Sequence, residues 1–309
     1  MSTTDSLHTQ YNLDFYARQI VEGFLTGMHR SPFHGFSVEF AEHRQYTTGE
    51  STRHIDWKLY GRTNKLFTKR FEEETNLRCQ LVIDRSSSML LPVEGQGDLQ
   101  HPNKLTFACY GAAVLSELLV RQRDAVGLSF LSDGIDLQTQ CHSNRPHQQH
   151  LLHLLDEELH RPTNEKEGRP SHLPDALHLT AEALHRRSLV VIFTDAILQP
   201  DDRDPLFDAL RHLRHCKHEV ILFHTLNQAL EMELGYEARP TLFIDLESGR
   251  KIKANPAEIA PQYHERMAEY TAAVKQHAIQ YHIDYQPVDI SRPVDQLLLP
   301  FLLQRAKSR

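Results

Sequence analysis

The chain has 309 residues, 40% hydrophobic and 24% charged, and a net charge of −7 with its 21 histidines neutral. These are ordinary values for a soluble globular fold with ample core material. The negative charge provides no basic field for nucleic acid or an anionic membrane, and no apolar run approaches the about 18 residues of a membrane span. Cys79, Cys109, Cys141 and Cys216 are scattered without a C-x-x-C pair, which argues against a disulfide framework and a structural zinc site. Met1–Gln10 is polar and lacks a signal-peptide apolar core, so a reducing, cytoplasmic setting is expected.

In chain order, Leu13, Tyr16, Ile20 and Phe24 recur at helical spacing and predict a helix over residues 11–30. Ser31-Pro32-Phe33-His34-Gly35 is a turn-rich break. Phe36–Arg44, Arg53–Leu59 and Leu66–Phe71 read as short strands or irregular segments. Residues 1–76 are therefore expected to form an N-terminal helix and a small β-layer. From residue 77 strands and helices alternate. Strands are predicted at Leu77–Asp84, Ala125–Leu131, Ile135–Cys141, Ser188–Asp195, Glu219–Phe223 and Ile283–Val288. Helices are predicted at Lys104–Arg123, His147–His160, Pro174–Arg186, Pro205–Cys216, Pro261–His282 and Gln296–Arg305. Thr241–Asp245 and Lys251–Lys253 flank Glu247-Ser248-Gly249 as a hairpin. Such alternation implies an α/β fold, a doubly wound and mostly parallel sheet with helices on both faces. Residues 77–309 would form that domain, with a late hairpin insertion near 240–255; Arg161–Arg169 is its most linker-like stretch.

Two histidine sets, His147/His150/His153 and His212/His215/His218, are spaced i, i+3, i+6. That spacing drifts around a helix and holds no single face, so both sets read as polar surface and not as metal ligands. Trp57 reads as a core residue joining the N-terminal layer to the sheet. The basic residues Arg44, Arg53, Lys58, Arg62, Lys69 and Arg70 are followed by Glu72, Glu73 and Glu74, a self-neutralising set. The apolar stretch Leu297–Leu303 is expected to pack on the domain.

The sharpest chemical signal is Asp84-Arg85-Ser86-Ser87-Ser88, a D-x-S-x-S sequence at the end of the strand Leu77–Ile83. One carboxylate and two alternate hydroxyls form a compact oxygen set, and Mg²⁺ usually keeps several waters beside one or two carboxylates. In open α/β sheets ligands bind beyond the carboxyl ends of the strands. A metal-dependent site is therefore expected here.

Upstream of that strand lie Arg44-Gln45-Tyr46-Thr47-Thr48-Gly49-Glu50, Arg53-His54-Ile55-Asp56-Trp57-Lys58, Arg62 and Phe71-Glu72-Glu73-Glu74. Joined to D-x-S-x-S, these segments resemble the bacterial domain-of-unknown-function family fifty-eight, from about residue 20 onward. The resemblance implies a von Willebrand factor A-like, Rossmann-like domain with a metal-ion-dependent adhesion site. It assigns Asp84, Ser86 and Ser88 to a first loop, Ser171 to a second and Asp195 to a third, holding Mg²⁺, Mn²⁺ or Ca²⁺. The chain departs from the family pattern at Glu50, Gly61 and His172, and its second loop, Gly168–Leu173, is one residue longer.

Such a cation, under-neutralised by its own ligands, accepts an acidic side chain from a partner protein. The resemblance further implies a non-enzymatic adaptor or co-chaperone that works with a MoxR-type AAA+ ATPase on client proteins. Two other readings stand beside it: a metal-dependent hydrolase or phosphatase using Asp84 and Asp195, and a structural domain with a vestigial metal site. Asp201, Asp202 and Asp204 read as a solvated helix start. Arg85 is expected to influence which acidic partners the loop meets.

Overall fold

In the computed structural model, which describes residues 13–28, 43–45, 60–62, 67–69, 77–162, 172–197, 203–247 and 249–301, the apolar residues Leu13, Ala17 and Val21 are buried along one side of helix α1 (Leu13–Met28). The chain divides into two units, one of Met1–Phe24 with Leu77–Arg309 and one of Leu25–Asn76. In the smaller unit β1 (His43–Gln45) pairs antiparallel with β2 (Phe67–Lys69). Arg53–Leu59, Trp57 and the Glu72–Glu74 run lie outside the described residues.

The larger unit is a mixed α/β fold around a mostly parallel sheet. Its strands are β3 (Arg78–Asp84), β4 (Ala125–Leu131), β5 (Ile135–Gln138), β6 (Leu189–Thr194), β7 (Glu219–Leu226) and β10 (Asp284–Asp289). Between the last two lies the separate hairpin of β8 (Thr241–Ile244) and β9 (Lys251–Ala254). Sheet order is β10-β7-β6-β3-β4-β5, and only β5 runs antiparallel to its neighbour. After β3 the chain first builds outward through β4 and β5, then returns to lay β6 against the other edge of β3. The strand order thus reverses between β3 and β6, where open α/β sheets place their ligands.

The helices are α2 (Lys104–Arg121), α3 (Arg145–His160), α4 (Leu173–Ala183), α5 (Arg203–His215) and α6 (Pro256–Gln280). Val82, Val190, Ile192, Val220 and Leu222 share one apolar cluster with Leu177 of α4, Leu210 of α5 and Val274 of α6. Alternate strand residues point to the opposite face, where Phe193 and Phe223 stack with centroids 5.1 Å apart. Helix α2 crosses that face so closely that a Cβ on Gly111 would lie 3.2 Å from the Phe193 ring. Burial on both faces explains the unbroken apolar runs Leu81–Ile83 of β3, Leu189–Phe193 of β6 and Val220–Phe223 of β7.

Several boundaries differ from expectation for local reasons. Strand β5 stops at Gln138, where the Leu128 N–H turns to the Thr139 hydroxyl at 2.9 Å, and pairing resumes as a bridge between Val126 and His142. Helix α6 starts at Pro256, capped by the Asn255 side chain, which accepts from the Ala257 N–H at 3.3 Å. Pro256 takes the first helical position that proline favours, and Pro261 sits inside the helix. The C-terminal helix is a 3₁₀ turn, Val294–Leu297, followed by helical residues up to 301; residues 302–309 lie outside the described residues. Leu297, Leu298 and Phe301 are buried, as a segment packed on the domain should be. The surface reading of the histidines fails at His218, which is fully buried with Nε2 donating to the Ala181 carbonyl at 3.2 Å.

Candidate cation site

Asp84 closes β3 and Asp195 follows the last residue of β6, so the parallel pairing of these strands sets the two carboxylates at one end of the sheet. Both are almost fully buried. One Asp84 oxygen accepts from the Ser86 N–H at 2.9 Å, the side-chain-to-backbone turn that aspartate readily forms. The other accepts from the Thr194 hydroxyl at 2.7 Å. Thr194 therefore ties the first loop to the end of β6. Ser86 Oγ and Ser88 Oγ lie 3.0 Å apart; Ser86 is buried and Ser88 half-buried.

The third loop is held as tightly. Asp195 Oδ1 accepts from the Ile197 N–H at 3.1 Å. The Asp195 carbonyl accepts from His224 Nε2 at 2.7 Å, and His224 Nδ1 faces the Tyr285 hydroxyl at 2.7 Å. The carbonyl requires a proton on Nε2, so Tyr285 donates to Nδ1 and the ring is neutral. Burial pushes the His224 pKa down to about 4, against the bond to Asp195. Ala196 adopts φ +49°, a left-handed conformation uncommon outside glycine. Its N–H donates to Thr194 Oγ1 at 2.9 Å and its carbonyl accepts from the Tyr270 hydroxyl. Local strain of this kind persists only where the surroundings over-determine it, and it concentrates at functional sites.

Sequence reasoning missed the most consequential residue. Lys104, with 0% exposure, donates through Nζ to Asp195 Oδ2 at 2.5 Å and also to Glu231 Oε1. It is the first residue of α2, capped by Asn103, whose side chain accepts from the Thr106 N–H at 2.7 Å. A cation at a helix N-terminus opposes the macrodipole, so the two carboxylates must hold it there. Burial works against the ammonium, but Asp195 and Glu231 outweigh burial and raise its pKa above the ordinary value. Glu231 lies on a short π-helical turn, Gln228–Met232, and its Oε2 accepts from the Asn227 N–H at 2.8 Å. Burial raises the Glu231 pKa.

Charge accounting decides what the arrangement can do. Among the described residues Asp84, Asp195 and Glu231 are three buried carboxylates, and the one ammonium at them, Lys104, contacts only Asp195 and Glu231. Burial, with the Asp195 charge added, raises the Asp84 pKa to about 6, despite hydrogen bonds from Thr194 and Ser86. Buried charge without a partner is costly. An added cation relieves that cost, so the residues fit one. Asp84 with the Ser86 and Ser88 hydroxyls would hold it, with Asp195 as a further carboxylate. Among the described residues no group of three or more His, Cys, Asp or Glu side chains is placed to hold a metal. A cation here would rest on hydroxyls and water, the habit of Mg²⁺.

Ser171 lies outside the described residues. The next residue, His172, donates its backbone N–H to the Ser132 carbonyl at 3.2 Å and pairs its ring with Asp133. Since the Arg85 N–H bonds the Leu131 carbonyl at 2.7 Å, the end of the second loop is anchored one strand away from the first. Arg85 itself departs from expectation. It is 6% exposed, with Nη2 3.5 Å from Glu158 and Nε 3.6 Å from Asp136, and its guanidinium lies 5.4 Å from the Phe130 ring centroid. Its charge is turned toward Glu158 and Asp136. Asp204 is exposed in the first turn of α5, as a solvated helix start should be, and Asp201 and Asp202 lie outside the described residues.

Fold and site define the class, an open and mostly parallel α/β domain with an acidic, hydroxyl-lined loop cluster where the strand order reverses. Residues 42–276 match the family described as Protein of unknown function DUF58, and the chain belongs to that family. A comparison with curated protein sequences gives no match. Among solved structures, an aerotolerance-related membrane protein from Bacteroides fragilis NCTC 9343 is similar at 16% identity and TM-score 0.47, covering 74% of this chain and 99% of its own. BatB from Bacteroides thetaiotaomicron is similar at 15% identity and TM-score 0.44, with the same coverage. The PilB minor pilin of Streptococcus sanguinis is similar at 8% identity and TM-score 0.37, covering 79% of this chain and 64% of its own. Likenesses this distant carry no argument about activity. Among the described residues no helix is long and apolar enough to cross a membrane.

Proposed function

We propose that the protein is a cation-dependent protein-binding module of the von Willebrand factor A type. Asp84, Ser86, Ser88 and Asp195, with Ser171 from the second loop, hold Mg²⁺ or a similar divalent ion. The observation that carries this reading is the excess of buried carboxylate over ammonium at the ends of β3 and β6, beside paired hydroxyls of which Ser88 reaches the surface. The bound ion supplies a Lewis-acidic position for an acidic side chain of a partner. Among the described residues no base is poised beside the carboxylates, because His224 is neutral, buried and committed on both nitrogens. This favours docking over hydrolysis. The partner proposed is a MoxR-type AAA+ ATPase in the cytoplasm, with the protein acting as adaptor toward client proteins.

The test is retention of such an ATPase on the immobilised protein with Mg²⁺ and with chelator. Retention is expected with Mg²⁺ only, and Asp84→Ala is expected to abolish it. Equal retention in chelator would remove the cation from the reading. Mg²⁺-dependent turnover of a generic phosphoester, lost in Asp84→Ala, would replace docking by hydrolysis.

A further inference from the structure

The carboxylate that the third loop offers to a cation is already engaged by a cation of the chain itself. Lys104 Nζ lies 2.5 Å from Asp195 Oδ2, and neither side chain is more than 2% exposed. The same ammonium contacts Glu231, whose other oxygen is fixed by the Asn227 N–H at 2.8 Å. Glu231 is thus a second anchor that remains when Asp195 is withdrawn. Among the described residues Asp84 has no such ammonium: its oxygens accept from Ser86 and Thr194. The two strand-end aspartates are therefore not equivalent. Asp84 stands ready, and Asp195 is held by an internal counter-ion.

We propose that Lys104 is a tethered competitor of the divalent cation. Its ammonium holds Asp195 while no ion is bound and keeps only Glu231 once the ion recruits Asp195. The inference rests on the cation reading above and adds its regulation: the affinity for the ion is set by the exchange of one carboxylate between an ammonium and a metal. Lys104 acts through Asp195, so it is a positioning residue and ligates nothing itself. No other ammonium or guanidinium among the described residues fills this role. Arg85 faces Glu158 and Asp136, and Arg203 stacks on the Tyr270 ring at 4.4 Å.

The test is calorimetric titration of MgCl₂ into the full chain and into Lys104→Met, Asp195→Asn and the double variant. Removing a unit charge this close to the site is expected to tighten Mg²⁺ binding by about tenfold or more. The gain should vanish when Asp195 is also replaced. A gain that survives Asp195→Asn would reduce Lys104 to a general electrostatic term and overturn the exchange. Equal or weaker binding by Lys104→Met would overturn the inference and leave the cation site standing. Absence of binding in every form would remove the cation site itself. Should Lys104→Met fail to fold, the wild type answers alone through the ¹⁵Nζ resonance of this buried ammonium. Saturating Mg²⁺ is expected to shift it, and an unchanged resonance at saturation would refute the exchange.

Discussion

Two clusters of buried carboxylate sit at either end of the same helix. Near the C-terminal half of α2, Glu117 has 0% side-chain exposure and accepts from Arg121 Nε at 2.5 Å, Arg145 Nη1 at 2.6 Å and Gln148 Nε2 at 2.8 Å. One carboxylate thus meets two guanidiniums and an amide. Near the N-terminus of α2 the ratio is inverted: among the described residues Lys104 supplies one ammonium to both Asp195 and Glu231, and Asp84 feels the Asp195 charge without contacting that ammonium. The titration directions follow the ratios. Burial opposes ionisation of Glu117, but its hydrogen bonds prevail and lower its pKa. Burial prevails at Asp84 and raises its pKa to about 6. A compensated carboxylate fixes helix α3 to α2; an under-compensated one is a place where a ligand can bind.

The comparison breaks most visibly at Lys104. Without divalent ions, Lys104→Met leaves Asp195 and Glu231 buried without their counter-ion, a change that costs about 3–5 kcal/mol. A fall in the thermal midpoint is expected, with recovery on adding Mg²⁺, because the ion then neutralises part of the same charge. A midpoint that stays low at saturating Mg²⁺ would mean that the ion and the ammonium do not serve the same carboxylates.

How much of this could be read in the chain depended on the kind of signal. The strands β3, β4, β6 and β7 are dominated by apolar residues, and the ends of β3 and β6 place Asp84 and Asp195 at the reversal of strand order. Asp84 was legible from its strand end, and the family resemblance set Asp195 beside it. Thr194 was not legible, because at the end of an apolar run a threonine reads as another β-branched strand residue. Lys104 carried a contrary signal, a cation at a helix start, which gains meaning only once Glu231 arrives from far along the chain. Glu231 lies on a five-residue π turn, too short to show any periodicity. The hairpin β8–β9 was legible from its turn residues, whereas the burial of His218 and the inward turn of Arg85 depend on tertiary neighbours that spacing does not reveal.

A smaller effect with a pH signature belongs to Asp84→Asn. A carboxyl that rises from 3.8 to about 6 on folding binds protons more tightly in the folded state. It favours folding fully below about 3.8, and that contribution is lost as pH rises to about 6. Above that pH the ionised group costs about 2–3 kcal/mol. Asp84→Asn is therefore expected to be more stable than wild type by that amount at pH 8 without divalent ions, with the gap closing between about pH 6 and 4. His224 has the opposite sign. Its pKa falls from 6.5 to about 4, so its contribution is present above 6.5 and is lost as pH falls through 4. In the wild type the two trends oppose each other; in Asp84→Asn the loss from His224 stands alone. Denaturant titrations from pH 8 to 4 should show a steeper acid decline in the variant, and parallel profiles would contradict the pKa assigned to Asp84.

Glu117→Gln supplies the counterpart with the smallest expected effect. Glutamine keeps the volume and can accept from only one of the two arginines, while its amide turns a donor toward the other. Arg121 and Arg145 are 26% and 48% exposed, so water takes over part of what they lose, and a cost of about 1–2 kcal/mol is expected. Because the folded pKa is lowered, the contribution of Glu117 is present above the ordinary glutamate value of 4.5 and is lost as pH falls through the lower folded value. The gap between wild type and variant should close in acid, as it does for Asp84→Asn, but with the variant on the other side of wild type. Mg²⁺ should leave this gap unchanged. A Mg²⁺ response in Glu117→Gln equal to that of the Lys104 variant would show that the ion stabilises the fold generally, and the contrast between the two ends of α2 would then fail.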